Sequence, residues 1–134
     1  MVLLCVMFKL SNRSIERMTG VDERLIDIAY LAIKITKIDF GIPQDGGFRN
    51  TQCQRELYED GKSKADGVKY KSRHQSGLAL DFFAYVDGKA SWDELHLAMV
   101  ATAFLQAASL LQHKTEWGGN FRSFKDMPHI QLKL

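Results

Sequence analysis

The chain has 134 residues, 46% hydrophobic and 25% charged, the size and balance of one ordinary globular domain. Roughly two-thirds of the unfolded surface can be buried at this length, so neither a disulfide framework nor disorder is expected. A formal net charge of +2, with its basic residues scattered, excludes an electrostatic nucleic-acid binder and leaves only a mild attraction toward anionic polymers.

The opening run MVLLCVMFKL lacks a leading basic cluster. It is too short for a signal sequence with a cleavage site or for a membrane span, so synthesis in the cytoplasm without stable membrane insertion is expected. Met7 is an alternative start, which would make Met1 to Val6 an upstream extension. Cys5 and Cys53 form no CxxC pair and are read as two reduced thiols. From Val21 to Lys37, apolar Leu25, Ile28, Ala29, Ala32 and Ile33 recur at helical spacing, with Thr19 at the N-cap and Asp22 in an acidic first turn. Asp39 to Asn50, with Gly41, Pro43, Gly46 and Gly47, reads as loop or short strand. Thr51 to Asp60 reads as a helix stopped by Gly61, and Lys62 to Gln75 as polar loop.

Gly77 to Val86 is apolar and aromatic and predicts one buried strand, followed by an Asp87-Gly88 turn and a short return strand from Lys89 to Trp92. Ser91, with Glu94 three residues on, has the capping-box pattern for a long helix reaching about Gln112. Thr115 to Trp117 and Ile130 to Leu134 predict two further short strands. Helices, strands, a long helix and strands again, with no linker or repeat, indicate one α+β domain over residues 1–134, built on a small, mainly antiparallel sheet with flanking helices.

Two stretches carry chemistry. In Ser72-Arg73-His74-Gln75-Ser76-Gly77-Leu78-Ala79-Leu80-Asp81, a loop entering a strand can bring His74 and Asp81 to one point, and imidazole and carboxylate are good zinc ligands. Taken alone, the pair is weak: a lone histidine near a strand is more often a solvated or hydrogen-bonded residue. In Asp126-Met127-Pro128-His129, His129 supplies a third ligand, and three protein ligands leave the open position of a catalytic zinc site. Asp126 lies close enough to take a proton in the same cavity; its plainer reading is a turn acid before Pro128. Trp117, next to Gly118-Gly119, is a candidate cleft wall or a core residue. Glu116 is either a partner of a ligand histidine or a strand-edge acid, and His96 and His113 are read as surface or half-buried helix residues.

His-x-x-Gly-x-Ala-x-Asp followed by Trp-Gly-Gly and Asp-x-x-His resembles the zinc D,D-carboxypeptidase and L-alanyl-D-glutamate endopeptidase family. That family includes phage endolysins, wall-trimming carboxypeptidases and vancomycin-resistance dipeptidases. Phe8 to Ser11, Val21 to Asp39, Gly47-Phe48-Arg49, Gly61-Lys62-Ser63 and Tyr85 to Lys89 are similar to the endolysin branch, so the likeness spans nearly all of the chain from Met7. The loop Gln44 to Phe48 departs from the branch's more compact pattern.

The resemblance implies a hedgehog/D,D-peptidase-like fold, with zinc held by His74, Asp81 and His129. It makes Asp126 the general base, Arg49 the group that polarises the scissile carbonyl, and Ser72 a substrate-side residue. The implied substrate is the peptide part of peptidoglycan, cut by an L-alanyl-D-glutamate endopeptidase acting as a monomer after a holin-type release. A D,D-carboxypeptidase uses the same machinery and stays open as an alternative. A non-catalytic zinc-containing wall-binding module is the alternative from another class; the presence of Asp126 and Arg49 argues against it.

Overall fold

A computed structural model describes residues 7–134; the proposed Met1 to Val6 extension and Cys5 lie outside the described residues. In chain order the elements are α1 (Asn12–Arg17), α2 (Glu23–Ile35), β1 (Phe40–Gly41), α3 (Thr51–Glu59), a 3-10 turn (Arg73–Ser76), β2 (Ala79–Asp81), β3 (Phe83–Val86), β4 (Lys89–Ser91), α4 (Glu94–Leu110), β5 (Thr115–Trp117), a second 3-10 turn (Gly118–Asn120) and β6 (His129–Leu132). The strands form two three-stranded antiparallel sheets, ordered β1-β3-β4 and β2-β6-β5. The α+β class with antiparallel strands is therefore as expected, but one sheet has become two.

The division falls at Phe82. Gly77 to Val86 reads as one strand because apolar residues run through it, yet Phe82 carries the chain from β2 in one sheet to β3 in the other. Its N–H donates to Pro128 O at 2.8 Å. Its ring, fully buried, stacks on Phe104 of α4 at 4.9 Å, and Phe104 meets Phe40 at 5.0 Å. Three aromatic side chains thus join both sheets to the long helix, and large buried rings supply much of the apolar area that drives such packing.

α2 lays Leu25, Ile28, Ala29, Ala32 and Ile33 against α4, which answers with Leu97, Val100, Ala101, Phe104 and Ala108. The spacings are those of one helical face. Small Ala residues on both sides allow close approach. The caps differ in detail from the sequence expectation. Asp22, not Thr19, caps α2 by accepting from Arg24 N, and Asp93, not Ser91, caps α4 by accepting from Leu95 N. Ser91 instead bonds His96 Nδ1 at 2.7 Å. α1 went unanticipated: its six residues are too few for a periodic pattern, and only the Ser11 cap marks it. Cys53 is a half-buried free thiol. Among the described residues no helix is long and apolar enough to cross a membrane.

Candidate metal centre and active site

β2 and β6 are in register with Asp81 opposite His129, Leu80 opposite Ile130 and Ala79 opposite Gln131. Side chains alternate across a strand, so Leu80 and Ile130 enter the core while Asp81 and His129 emerge together on the other face. Cross-strand pairing alone therefore makes neighbours of two residues 48 positions apart; His129 Nδ1 lies 3.1 Å from Asp81 Oδ1.

His74 arrives by a different device. It sits in the 3-10 turn that precedes β2, capped by Ser72, whose hydroxyl accepts from His74 N at 3.2 Å. Gln75 reaches back to Ser72 N at 2.9 Å, completing a capping box. Gly77 ends the turn at φ +71°, a left-handed conformation that a Cβ would strain. The turn points His74 Nε2 to within 3.2 Å of Asp81 Oδ1. His74, Asp81 and His129 together present three ligand atoms within 4.8 Å of one another, the one such group among the described residues.

The far nitrogen of each imidazole is occupied. His74 Nδ1–H donates to Gly47 O at 2.8 Å, and His129 Nε2–H donates to Gln131 Oε1 at 2.9 Å. Those acceptors leave His74 Nε2 and His129 Nδ1 as the lone-pair nitrogens when a cation is bound, a donor set that fits zinc. Gln131 stays on the face of His129 because it is two residues along β6, and its amide reaches Glu116 Oε2 across the β5–β6 pair at 3.4 Å. Glu116 is thus a remote partner of a candidate ligand histidine, acting through Gln131.

The loop from Gln44 to Phe48, where the sequence departs from the endolysin pattern, forms the floor. Gly46 O accepts from Asp81 N at 2.7 Å, Gly47 O holds the His74 ring, and Arg49 N donates to His74 O at 3.1 Å. Gly47 is required there: a Cβ would fall 2.1 Å from Arg17 O. Arg49 is pinned by Asp45 O at 2.7 Å, Gln54 Oε1 at 3.1 Å and Asp81 Oδ2 at 3.1 Å. Gln54, wholly buried on α3, was absent from the sequence-derived candidates because a lone Gln on a polar helix carries no signal.

Asp126 approaches from the loop before β6, its Oδ2 3.8 Å from His129 Nδ1. Burial, and then the charge of Asp81, push its carboxyl above the usual range. Burial also opposes ionisation of Asp81, but His74 and His129 outweigh it and hold the carboxyl well below the ordinary carboxylate range. For His129, burial disfavours the charged ring, yet the hydrogen bond and charge of Asp81 prevail and raise its pKa above 6.5. His74, Asp81, Asp126 and His129 open on a cleft of about 390 Å³, lined also by Arg49, Lys62, Ser63, Lys64, Ser72, Phe124 and Pro128. Trp117 is not among the lining residues. Its indole N–H donates to Met127 O at 2.8 Å, and its ring packs against the core, so it braces the Asp126 loop from behind. Gly118 and Gly119 are close to protein, not ligand: their added Cβ atoms would meet Asp126 O and the Trp117 ring.

This chain matches the family model for phage L-alanyl-D-glutamate peptidase over residues 6–133. It is 30% identical over 127 residues to the L-alanyl-D-glutamate peptidase of Escherichia phage T5, covering 94% of this chain and 90% of that protein. With the peptidoglycan L-alanyl-D-glutamate endopeptidase CwlK of Bacillus subtilis (strain 168) it shares 32% identity over 95 residues, 64% of this chain and 57% of the other. The crystal structure of the Serratia marcescens L-Ala D-Glu endopeptidase ChiX superposes with a TM-score of 0.80 at 34% identity, covering 91% of this chain and 87% of that one. The chain belongs to the phage L-alanyl-D-glutamate peptidase family.

Proposed function

We propose that this chain is a zinc-dependent endopeptidase that hydrolyses the L-alanyl–D-glutamate amide of peptidoglycan stem peptides, with His74, Asp81 and His129 as the metal ligands. The observation that carries the reading is the convergence of those three candidate ligand atoms within 4.8 Å, with the Asp126 carboxyl in the same cleft. Zinc held there supplies Lewis acidity, which polarises a carbonyl and acidifies water. Asp126 would take the proton of the attacking water and return it to the leaving amine, a role supported by its position in the same cleft, 3.8 Å from His129. Arg49 has five N–H donors and spends three on Asp45, Gln54 and Asp81, leaving two for the oxygen on which charge develops. Because its guanidinium is fixed before substrate arrives, no reorganisation is needed as charge forms. Ser72 is chiefly the cap that orients His74, with its hydroxyl at the cleft wall.

The chain acts as a single catalytic domain over residues 1–134. Kinship with a phage peptidase supports action on the wall after release through a holin-type lesion. The test is incubation with isolated peptidoglycan, with and without a chelator, and mass spectrometry of the new ends. Zinc-dependent appearance of D-glutamate amino termini is expected. Release of free D-alanine would reassign the chain as a D,D-carboxypeptidase, and absence of new ends despite bound zinc would leave only the binding-module reading.

A further inference from the structure

We propose that Lys64 determines specificity within the proposed site, by pairing with the free carboxylate of the substrate's glutamate. The inference rests on the endopeptidase reading. Glutamate has two carboxyls, so when a peptide continues through one of them the other remains as an anion close to the scissile amide. Besides its two histidines the cleft is lined by three cationic side chains, Arg49, Lys62 and Lys64, and Arg49 is already committed to Asp81. Lys62 and Lys64 enter no ion pair among the described residues.

Lys64 is also the better positioned of the two. Its ammonium sits 4.1 Å from the centroid of the Phe124 ring, which lines the same cleft, so a cation–π contact holds it over the cavity. The backbone beneath it is built rather than loose. Gln54, with no exposed surface, donates both Nε2 hydrogens to the residues flanking Lys64: Ser63 Oγ and Ala65 O, each at 2.8 Å. Lys62 N and Ser63 N both donate to Leu57 O at the end of α3. The same Gln54 accepts from Arg49, which holds Asp81. A rigid chain of contacts thus sets Lys64 relative to a candidate metal ligand, as a specificity contact requires. Burying a carboxylate here without a cationic partner would be unfavourable, whereas an amide in its place forfeits the ion pair.

The experiment uses two synthetic N-acyl-L-Ala-D-Glu peptides extended through one glutamate carboxyl, the other carboxyl being free or a primary amide. Hydrolysis by the zinc-loaded full chain is followed by mass spectrometry, and binding of each peptide by calorimetry. The unsubstituted chain is expected to favour the acidic peptide about fivefold, the size of one partly exposed ion pair. In Lys64→Met the preference falls toward unity, and Lys64→Arg restores it. Equal kcat/KM and equal affinity for the two peptides in the unsubstituted chain, or a preference that survives in Lys64→Met, overturns the proposal. If neither peptide is cut but the Lys64-dependent preference appears in binding, the carboxylate contact stands and the endopeptidase reading falls.

Discussion

Replacing Gln131 by Leu isolates the contribution of one hydrogen bond to the proposed metal centre. Gln131 Oε1 accepts from His129 Nε2–H at 2.9 Å, and His129 is only 7% exposed, so no solvent stands ready to replace it. Without metal the loss is softened, because the ring can carry its proton on Nδ1 and donate to Asp81 Oδ1, 3.1 Å away. With metal that escape is closed: Nδ1 must offer its lone pair, the proton must sit on Nε2, and there it faces a leucine. The penalty of a buried unpaired N–H, about 1–3 kcal/mol, therefore falls mainly on the bound state. Zinc affinity should weaken by about 10- to 100-fold, the usual effect of losing such a partner. The assay is competition against a chelating dye, beside thermal unfolding of chelator-treated protein. Unchanged zinc affinity, or an equal loss of stability with and without metal, would refute the reasoning.

Asp126→Asn keeps the shape of the loop but removes the proposed base; kcat should drop by about 10²- to 10⁴-fold with zinc affinity nearly intact, read by single-substrate kinetics and dye competition. In the zinc-free protein the raised pKa of His129 stabilises the fold below about pH 6.5, and that contribution is lost as pH rises through the folded value. Asp81, with a lowered pKa, contributes above about pH 3.8 and loses this as pH falls through its folded value. Zinc must displace the proton from His129 Nδ1, so the gain in Tm on adding zinc should grow between about pH 5.5 and pH 7.5; a gain that shrinks over that window would contradict the assigned ligand atom. Gly118→Ala would place a Cβ 2.0 Å from Asp126 O, forcing the loop to move. A loss of about 1–3 kcal/mol in stability is expected by chemical denaturation, with kcat reduced up to about 100-fold as Asp126 shifts.

The candidate site residues are legible in the sequence because their chemistry is unusual in combination: His74 and Asp81 around a glycine, then Asp126 and His129 around a proline. The buried face of α2 is equally plain, since its apolar residues recur with the helix period, whereas α4 is apolar nearly all round: it exposes Leu95, Met99 and Leu110 and buries Leu97, Val100 and Phe104, a choice made by packing. An α-helix needs only local spacing to announce itself, and short apolar strands are nearly as visible. What the chain's order could not say was how Gly77 to Val86 divides. A continuous apolar run reads as one strand, and only the packing of Phe82 on Phe104, with its N–H on Pro128 O, turns the backbone from one sheet into the other.

Tertiary structure alone also decided the supporting shell. Gln54 and Gln131 are ordinary amides in sequence; each matters because a distant backbone or ring ends beside it. Trp117 shows the converse, a conspicuous residue whose glycine neighbours suggested a cleft wall but whose ring faces the core. Candidate ligands are legible in residue type and short spacing, whereas their orientation depends on strand register and on carbonyls contributed by remote loops. Those contacts arise only when the two sheets and α4 have packed together, because hydrogen-bond partners far apart in the chain are chosen by the fold as a whole.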